Sequence, residues 1–189
     1  PDWQGRRLHQ TAAATLRANG RYLQHIMQEY SQGKTDDMQY RIARREAHNA
    51  DAALSGSLGN MLKEPGHFRR QSDLGFRFLL CSHSLLSYIS ALGAHREKLA
   101  DAPNYPSLNR EAEQLAGNLV LLADNLESLQ PISSDCSEED EQSRRLEDMQ
   151  VGDDDHLRLL HNQLLLISQQ LASLRMLACE LVQPEPANK

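Results

Sequence analysis

The chain has 189 residues, of which 40% are hydrophobic and 24% are charged, and its formal net charge is −6. It contains 31 leucines and 19 alanines but only 3 valines, 5 isoleucines and 3 threonines. Residues that favour helices therefore far outnumber β-branched residues, which excludes a sheet-based fold. The three cysteines are distant from one another, which argues against a disulfide framework and indicates reducing surroundings. No uninterrupted apolar run approaches the ~18 residues needed to cross a bilayer.

Apolar and small residues recur at steps of three and four in the first part of the chain, which predicts two helices. The first covers residues 3–30 and stops near Gly33. The second is capped by Thr35 or Asp36 and ends at the segment 63–66, where Pro65 disfavours a helical conformation in the residue before it.

A third helix is predicted over residues 68–100, and its apolar residues cover more than one face. This pattern is typical of a central helix. Pro103 and Pro106 end it, and Ser107 is the predicted cap of a fourth helix that runs to Leu129. A last helix is predicted from residue 153 to 182, with leucines along one stripe.

The segment between residues 135 and 155 holds ten acids against Arg144 and Arg145. So few apolar residues cannot bury enough surface to offset the entropy of ordering, which predicts a mobile linker, with at most transient helix near residues 138–149. The predicted fold is all-α, an antiparallel bundle of about five helices. Its parts are a four-helix bundle (1–132), an acidic flexible linker (133–152), a final helix packing back on the bundle (153–183) and a disordered tail (184–189).

The histidines lack the spacing of metal ligands, and no glycine-rich phosphate loop is present. We therefore expect no metal, no cofactor and no enzymatic activity. An enzyme would need polar groups such as His48, His83 and His95 to meet the nearby arginines in one concave pocket.

Arginines are concentrated in the second and third predicted helices, at Arg41, Arg44, Arg45 and Arg77. With the histidines just named they are candidates for a polar or anion-facing cluster. One interpretation is a basic patch for an anionic substrate, an anionic lipid or nucleic acid. The other, which we favour, is that the arginines pair with carboxylates such as Glu46, Asp51 and Asp73. The acidic net charge argues against nucleic acid as a partner.

At the amino terminus, Trp3 is followed by Arg6 and Arg7. An interfacial aromatic residue followed by positive charge is typical of a segment that leaves a membrane on the cytosolic side. This pattern predicts contact with the membrane surface near the start of the chain.

Four segments carry a resemblance to a known family: 40–54 (YRIARREAHNADAAL), 61–66 (MLKEPG), 75–79 (GFRFL) and 83–88 (HSLLSY). Together they resemble the carboxy-terminal cytosolic region of the YccS/YhfK-type inner-membrane proteins. These belong to the fusaric acid resistance superfamily, whose other members resemble aromatic carboxylic acid exporters.

The resemblance implies a cytosolic, non-enzymatic helical domain of a bacterial inner-membrane efflux-type transporter, acting in assembly or gating. Its partners would be the remainder of the transporter and, as a homo-oligomer, other copies of itself. The start of the chain would be the point where the last membrane helix enters the cytosol. The alternative is a free-standing helical adaptor or protein-interaction domain.

Overall fold

The computed structural model describes residues 3–33, 37–63, 69–100 and 103–184. Within these ranges the chain forms helices and no strand, which confirms the predicted all-α class. The helices are α1 (Trp3–Gln32), α2 (Asp37–Met61), α3 (Arg69–Ala94), α4 (Arg96–Ala100), α5 (Pro106–Glu127), α6 (Ser137–Glu147) and α7 (Asp155–Val182). The predicted caps Thr35 and Asp36, the stop at residues 64–66 and the tail at 185–189 lie outside the described residues.

The helices form two layers. One layer contains α2, α1 and α5 side by side, and the other contains α3 and α7, with α6 packed on α7. The Thr15 hydroxyl of α1 donates to the carbonyl of Ala50 near the end of α2, and the Tyr22 ring farther along α1 packs against Tyr40 near the start of α2. Helices α1 and α2 therefore run antiparallel. The predicted antiparallel bundle is thus present, with α1 packed against four other helices.

The predicted apolar stripes lie in the core because steps of three and four keep side chains on one helical face. On α7 every predicted stripe residue is buried: Leu157, Leu160, Leu164, Ile167, Leu171, Leu174, Ala178 and Leu181. The stripe of α5 is buried from Leu108 to Leu126, but Leu129 lies beyond the end of the helix and is exposed.

The centre of the bundle differs from the prediction. The third helix carries exposed Arg77 and Leu80 on its outer side, whereas α1 buries adjacent pairs such as Tyr22 and Leu23. The helix predicted over 68–100 is also interrupted at His95, where α3 ends and the short α4 begins. The central position therefore belongs to α1.

Two helix starts illustrate how local chemistry sets the boundaries. Pro106 occupies the first turn of α5, where its missing N–H costs nothing, and the preceding Tyr105 makes no side-chain cap. Ser107 is therefore not the cap that the sequence predicts. Asp154 caps α7, since its carboxylate accepts hydrogen bonds from the backbone N–H groups of His156 and Leu157.

The acidic segment predicted as an unpacked linker contains α6, which corrects that prediction. Glu139, Gln142 and Leu146 recur at helical spacing and face the bundle, and all three are buried. Polar contacts hold this helix: the Gln142 amide donates to the Glu111 carboxylate on α5 at 2.9 Å. Because the inward face of α6 is mostly polar, its burial leaves little hydrophobic signal in the sequence.

Helix α7 is the most apolar of the long helices. An 18-residue stretch has a mean hydropathy of 1.3, so its length and composition would suffice to cross a membrane. Its apolar stripe, however, packs against α3, α5 and α6, as in the core helix of a bundle. The end of α7 returns to the start of α1, where Nε2 of buried His9 contacts the Leu181 carbonyl at 2.7 Å.

Candidate functional site

A solvent-facing cleft lies between the first half of α2 and the carboxy-terminal end of α3, with α4 at one end. Its volume is about 940 Å³. The lining residues are Asp37, Met38, Tyr40, Arg41, Ile42, Arg44, Arg45, His48, Asn49, Ser90, Ala94 and Arg96. Four of the seven residues predicted as a polar or anion-facing cluster therefore line one cleft.

These four residues are Arg41, Arg44, Arg45 and His48, and they occupy helical positions i, i+3, i+4 and i+7. This spacing places them on one face of α2. All four side chains are exposed. None of the three arginines forms an ion pair within the described part of the chain. The cleft thus presents three guanidinium groups that no carboxylate neutralises there.

Arg96, the fourth arginine of the cleft, is held by its surroundings. Its Nη2 donates to the Asp37 carboxylate at 2.6 Å, and its Nε lies 3.4 Å from a carboxylate oxygen of Glu29. Its guanidinium also lies over the Tyr40 ring, 3.9 Å from the ring centre. Arg96 therefore forms part of the wall of the cleft. The Asp37 carboxylate pairs with Arg96 and not with the other arginines of the cleft.

Behind this wall, Tyr40 packs against Tyr22 with ring centres 5.7 Å apart and hydroxyl oxygens 3.4 Å apart. Burial raises the pKa of Tyr40 far above its usual range, and the contact with Tyr22 raises it further. The two hydroxyls fit because residue 93 is glycine. A Cβ there would lie 2.6 Å from the Tyr40 oxygen and 2.7 Å from the Tyr22 oxygen.

The other predicted cluster residues do not line the cleft. Arg77 and His95 are exposed elsewhere on the surface, and His83 Nδ1 lies 3.1 Å from the Asp51 carboxylate. The sequence predicts Asp51 as an arginine partner, but within the described residues its side-chain contact is with this histidine. Of the three histidines named as candidates, His48 lines the cleft, whereas His83 and His95 are not among its lining residues.

Sequence reasoning missed Asp37, Tyr40 and Arg96 as parts of the site. The first two precede Arg41 and Arg44 at helical spacing, so the pattern contained a signal for them. Arg96 had none, because its position depends on the break at His95 that the sequence did not predict.

The arrangement of three guanidinium groups in one cleft is suited to non-covalent binding of negative charge. Within the described residues, no group of three or more His, Cys, Asp and Glu side chains is placed to hold a metal ion. The three cysteines form no disulfide. Burial raises the pKa of the Cys81 thiol, which keeps it protonated near neutral pH.

At the amino terminus, α1 begins at Trp3, whose side chain is not among those described. Arg6 and Arg7 lie in the first two turns and are exposed. Their positive charges face solvent beside the start of the bundle, at the opposite end of α1 from the residues that contact α2 near the cleft.

Comparison with known proteins gives three relatives. The chain is 46% identical over 101 residues, 53% of its length, to inner membrane protein YccS of Escherichia coli strain K12. It is 43% identical over 117 residues, 62% of its length, to an uncharacterized protein of Haemophilus influenzae. It is 42% identical over 112 residues, 56% of its length, to the uncharacterized protein ORF2 of Neisseria gonorrhoeae.

The chain spans 14%, 16% and 26% of these three relatives, so each contains much that has no counterpart here. No family model and no solved structure matches the chain. The part of the predicted resemblance that concerns YccS is confirmed, whereas the wider superfamily stays a prediction. Over somewhat more than half of its length, the chain is related in sequence to inner membrane protein YccS.

Proposed function

We propose that this chain is a cytosolic, non-enzymatic helical domain of a bacterial inner-membrane efflux-type transporter, acting in its assembly or gating. The observation that carries the proposal is the 46% identity to an inner membrane protein. The resemblance to the fusaric acid resistance superfamily makes aromatic carboxylates the proposed substrate class. Since the chain spans 14% of that relative, the transport pathway is proposed to lie in other parts of the protein.

The packing of the bundle supports a location outside the bilayer for this part of the protein. The apolar stripe of α7 is covered by neighbouring helices, and the outer face of α2 carries exposed Arg41, Arg44 and Arg45. Charged side chains facing lipid are costly, whereas water solvates them freely. The same surfaces suit a domain attached to a membrane protein.

The start of α1 supports the cytosolic side. Arg6 and Arg7 are exposed there, and positive charge beside a membrane segment favours the cytoplasmic face. The proposed membrane contact is at this end of the bundle, where Trp3 begins the helix.

The first test is to read the gene upstream of the codon for Pro1. Several hydrophobic segments of about 20 residues, the last ending shortly before Trp3, are expected. If the upstream sequence encodes none, the transporter proposal fails and the free-standing adaptor takes its place.

The second test separates a functional domain from a passive extension. The whole gene product is expressed in an efflux-deficient bacterial strain that is challenged with fusaric acid and related aromatic carboxylates. Leu92→Asp places a charge in the core, whereas Leu80→Asp changes a side chain that is 69% exposed. We expect resistance to be lost in the first variant and kept in the second.

Immunoblots of the membrane fraction then distinguish the two roles. Loss of the Leu92→Asp protein from the membrane indicates assembly, and its retention without resistance indicates gating. If the unmodified protein protects against none of these compounds, the proposed substrate class is wrong. If Leu92→Asp retains full resistance, the proposed role of this domain is wrong.

A further inference from the structure

We propose that the cleft between α2 and α3 is a binding site for a small, soluble anion that carries a phosphate group. Arg41, Arg44 and Arg45 would hold the phosphate. This inference does not require the transporter role proposed above, because it rests on the charges and shape of the cleft.

The first support is the placement of like charges. Arg41 and Arg45 are four residues apart on one helix, and Arg41 and Arg44 are three apart. Like charges at these spacings destabilise a helix. Some exposed arginines elsewhere have carboxylate partners, as Arg158 has Asp153 at 2.7 Å. Single arginines such as Arg77 have none among the described residues, but the cleft brings three of them together. Three uncompensated arginines in one cleft indicate an anion from solution.

The second support is the contrast with Arg96 in the same cleft. The carboxylates of Asp37 and Glu29 both lie against Arg96, so the acids nearby compensate this arginine. Their arrangement leaves the face formed by Arg41, Arg44 and Arg45 positive. A ligand there would meet guanidinium groups that have no competing partner among the described residues.

The ligand class follows from the chemistry of the lining. Guanidinium groups present paired N–H donors that match phosphate oxygens, and three of them suit a group with two negative charges. The Ser90 hydroxyl, also in the lining, is buried and has no hydrogen-bond partner among the described residues. A volume of about 940 Å³ lies within the range of small-molecule sites. Exposed Ile42 offers contact to an apolar part of the ligand.

A phosphate group can belong to a soluble molecule or to a lipid headgroup, and two features favour the soluble source. The arginines line a concave surface that includes side chains of α3 and α4, which a flat bilayer would meet poorly. In the membrane arrangement proposed above, the cleft is also remote from the membrane. Tyr22, which contacts Tyr40 at the cleft, lies about 28 Å along α1 from Trp3.

The test is calorimetric titration of the chain with inorganic pyrophosphate, at low and physiological salt. The double variant Arg41→Gln/Arg44→Gln removes two of the three guanidinium groups. Arg77→Gln is the matched control, because this arginine is also exposed but lies outside the cleft. We expect the double variant to weaken pyrophosphate binding at least tenfold and the control to change it less than twofold.

Far-ultraviolet circular dichroism and thermal melts test whether both variants remain folded. Should the double variant unfold, the single variant Arg45→Gln gives the same comparison, with an expected loss of about threefold to tenfold. Vesicles of phosphatidylglycerol and phosphatidylcholine form a separate arm, and we expect no binding to them.

Three results would overturn the inference. One is the absence of pyrophosphate binding at low salt. Another is equal weakening by Arg77→Gln, which would show a diffuse effect of net charge. The third is binding to phosphatidylglycerol vesicles without binding to pyrophosphate, which would assign the arginines to a membrane surface.

Discussion

The carboxylate of Glu139 on α6 accepts a hydrogen bond from Nε of Arg175 on α7, and the glutamate side chain is only 1% exposed. A buried carboxylate is costly unless a positive group compensates it. This pair therefore holds an otherwise very acidic helix against the bundle.

Removal of one partner tests this role. Arg175→Ala leaves the buried carboxylate uncompensated, and we expect the free energy of unfolding to fall by about 3 kcal/mol or more. Urea denaturation followed by circular dichroism measures the change. Arg158→Ala is the control, because its partner Asp153 is 99% exposed and surface pairs contribute about 0–1 kcal/mol. Equal losses in the two variants would contradict the proposed role of Glu139.

A second prediction concerns Gly93 and the tyrosine pair. Gly93→Ala places a methyl group within 2.7 Å of both tyrosine hydroxyls, neither of which can move freely because both rings are buried. We expect a loss of about 1–3 kcal/mol of unfolding free energy. Gly56→Ala is the control, since nothing lies within 4 Å of the added carbon and alanine favours helix. A Gly93→Ala protein as stable as the control would show that the pair adjusts without cost.

The third prediction concerns the core stripe of α7. Leu164 is fully buried, and Leu164→Ala should lower the free energy of unfolding by about 2–5 kcal/mol through lost burial and a residual cavity. Leu80→Ala removes the same atoms from an exposed side chain of α3 and should change stability by less than about 0.5 kcal/mol. Thermal or urea denaturation compares the two. A tolerated Leu164→Ala would mean that α7 faces away from the core.

The fourth prediction is a loss of stability in alkali. The pKa of Tyr40 is raised in the folded state above its ordinary value of 10.0, mainly by burial, and burial likewise raises the pKa of Tyr30. The unfolded chain therefore releases these protons first as the pH rises. Stability that is present below pH 10 should fall above it, by at most about 1.4 kcal/mol per pH unit for each tyrosine, until the pH passes the folded-state pKa of that group.

Tyr40→Phe isolates one of these groups. Its unfolding free energy should decline less steeply above pH 10, by the slope of one proton, while Tyr30 continues to contribute. Urea titrations at pH 8, 10 and 11 measure the slopes. Identical slopes in the variant and the parent would mean that Tyr40 ionises in the folded protein as it does in the unfolded chain.

The sequence was most informative where burial is apolar and periodic. The stripe of α7 could be predicted residue by residue, because leucines at steps of three and four leave a strong helical signal. The burial of helix α6 could not be predicted, because glutamate and glutamine, as at Glu139 and Gln142 on its inner face, are residue types typical of a solvent-exposed surface. Polar burial depends on partners such as Arg175, which only the tertiary structure brings close.

The same limit applies to the cleft. Arg41, Arg44, Arg45 and His48 share a helical face, so their grouping could be predicted from spacing. The expectation that the arginines pair with nearby carboxylates could not be decided from sequence. Asp51 pairs with His83 on the adjacent helix, a choice that depends on how α2 and α3 pack.

The contact between His9 and the Leu181 carbonyl has a mechanical consequence. It joins the second turn of α1 to the last turn of α7 across 172 positions of the chain, and the other ring nitrogen of His9 contacts the Gly5 carbonyl. A displacement of the first turns of α1 would therefore act on the last turn of α7 through this contact. Helix α6 packs on α7 and is paired with it through Glu139 and Arg175, so α6 would be affected by the same displacement.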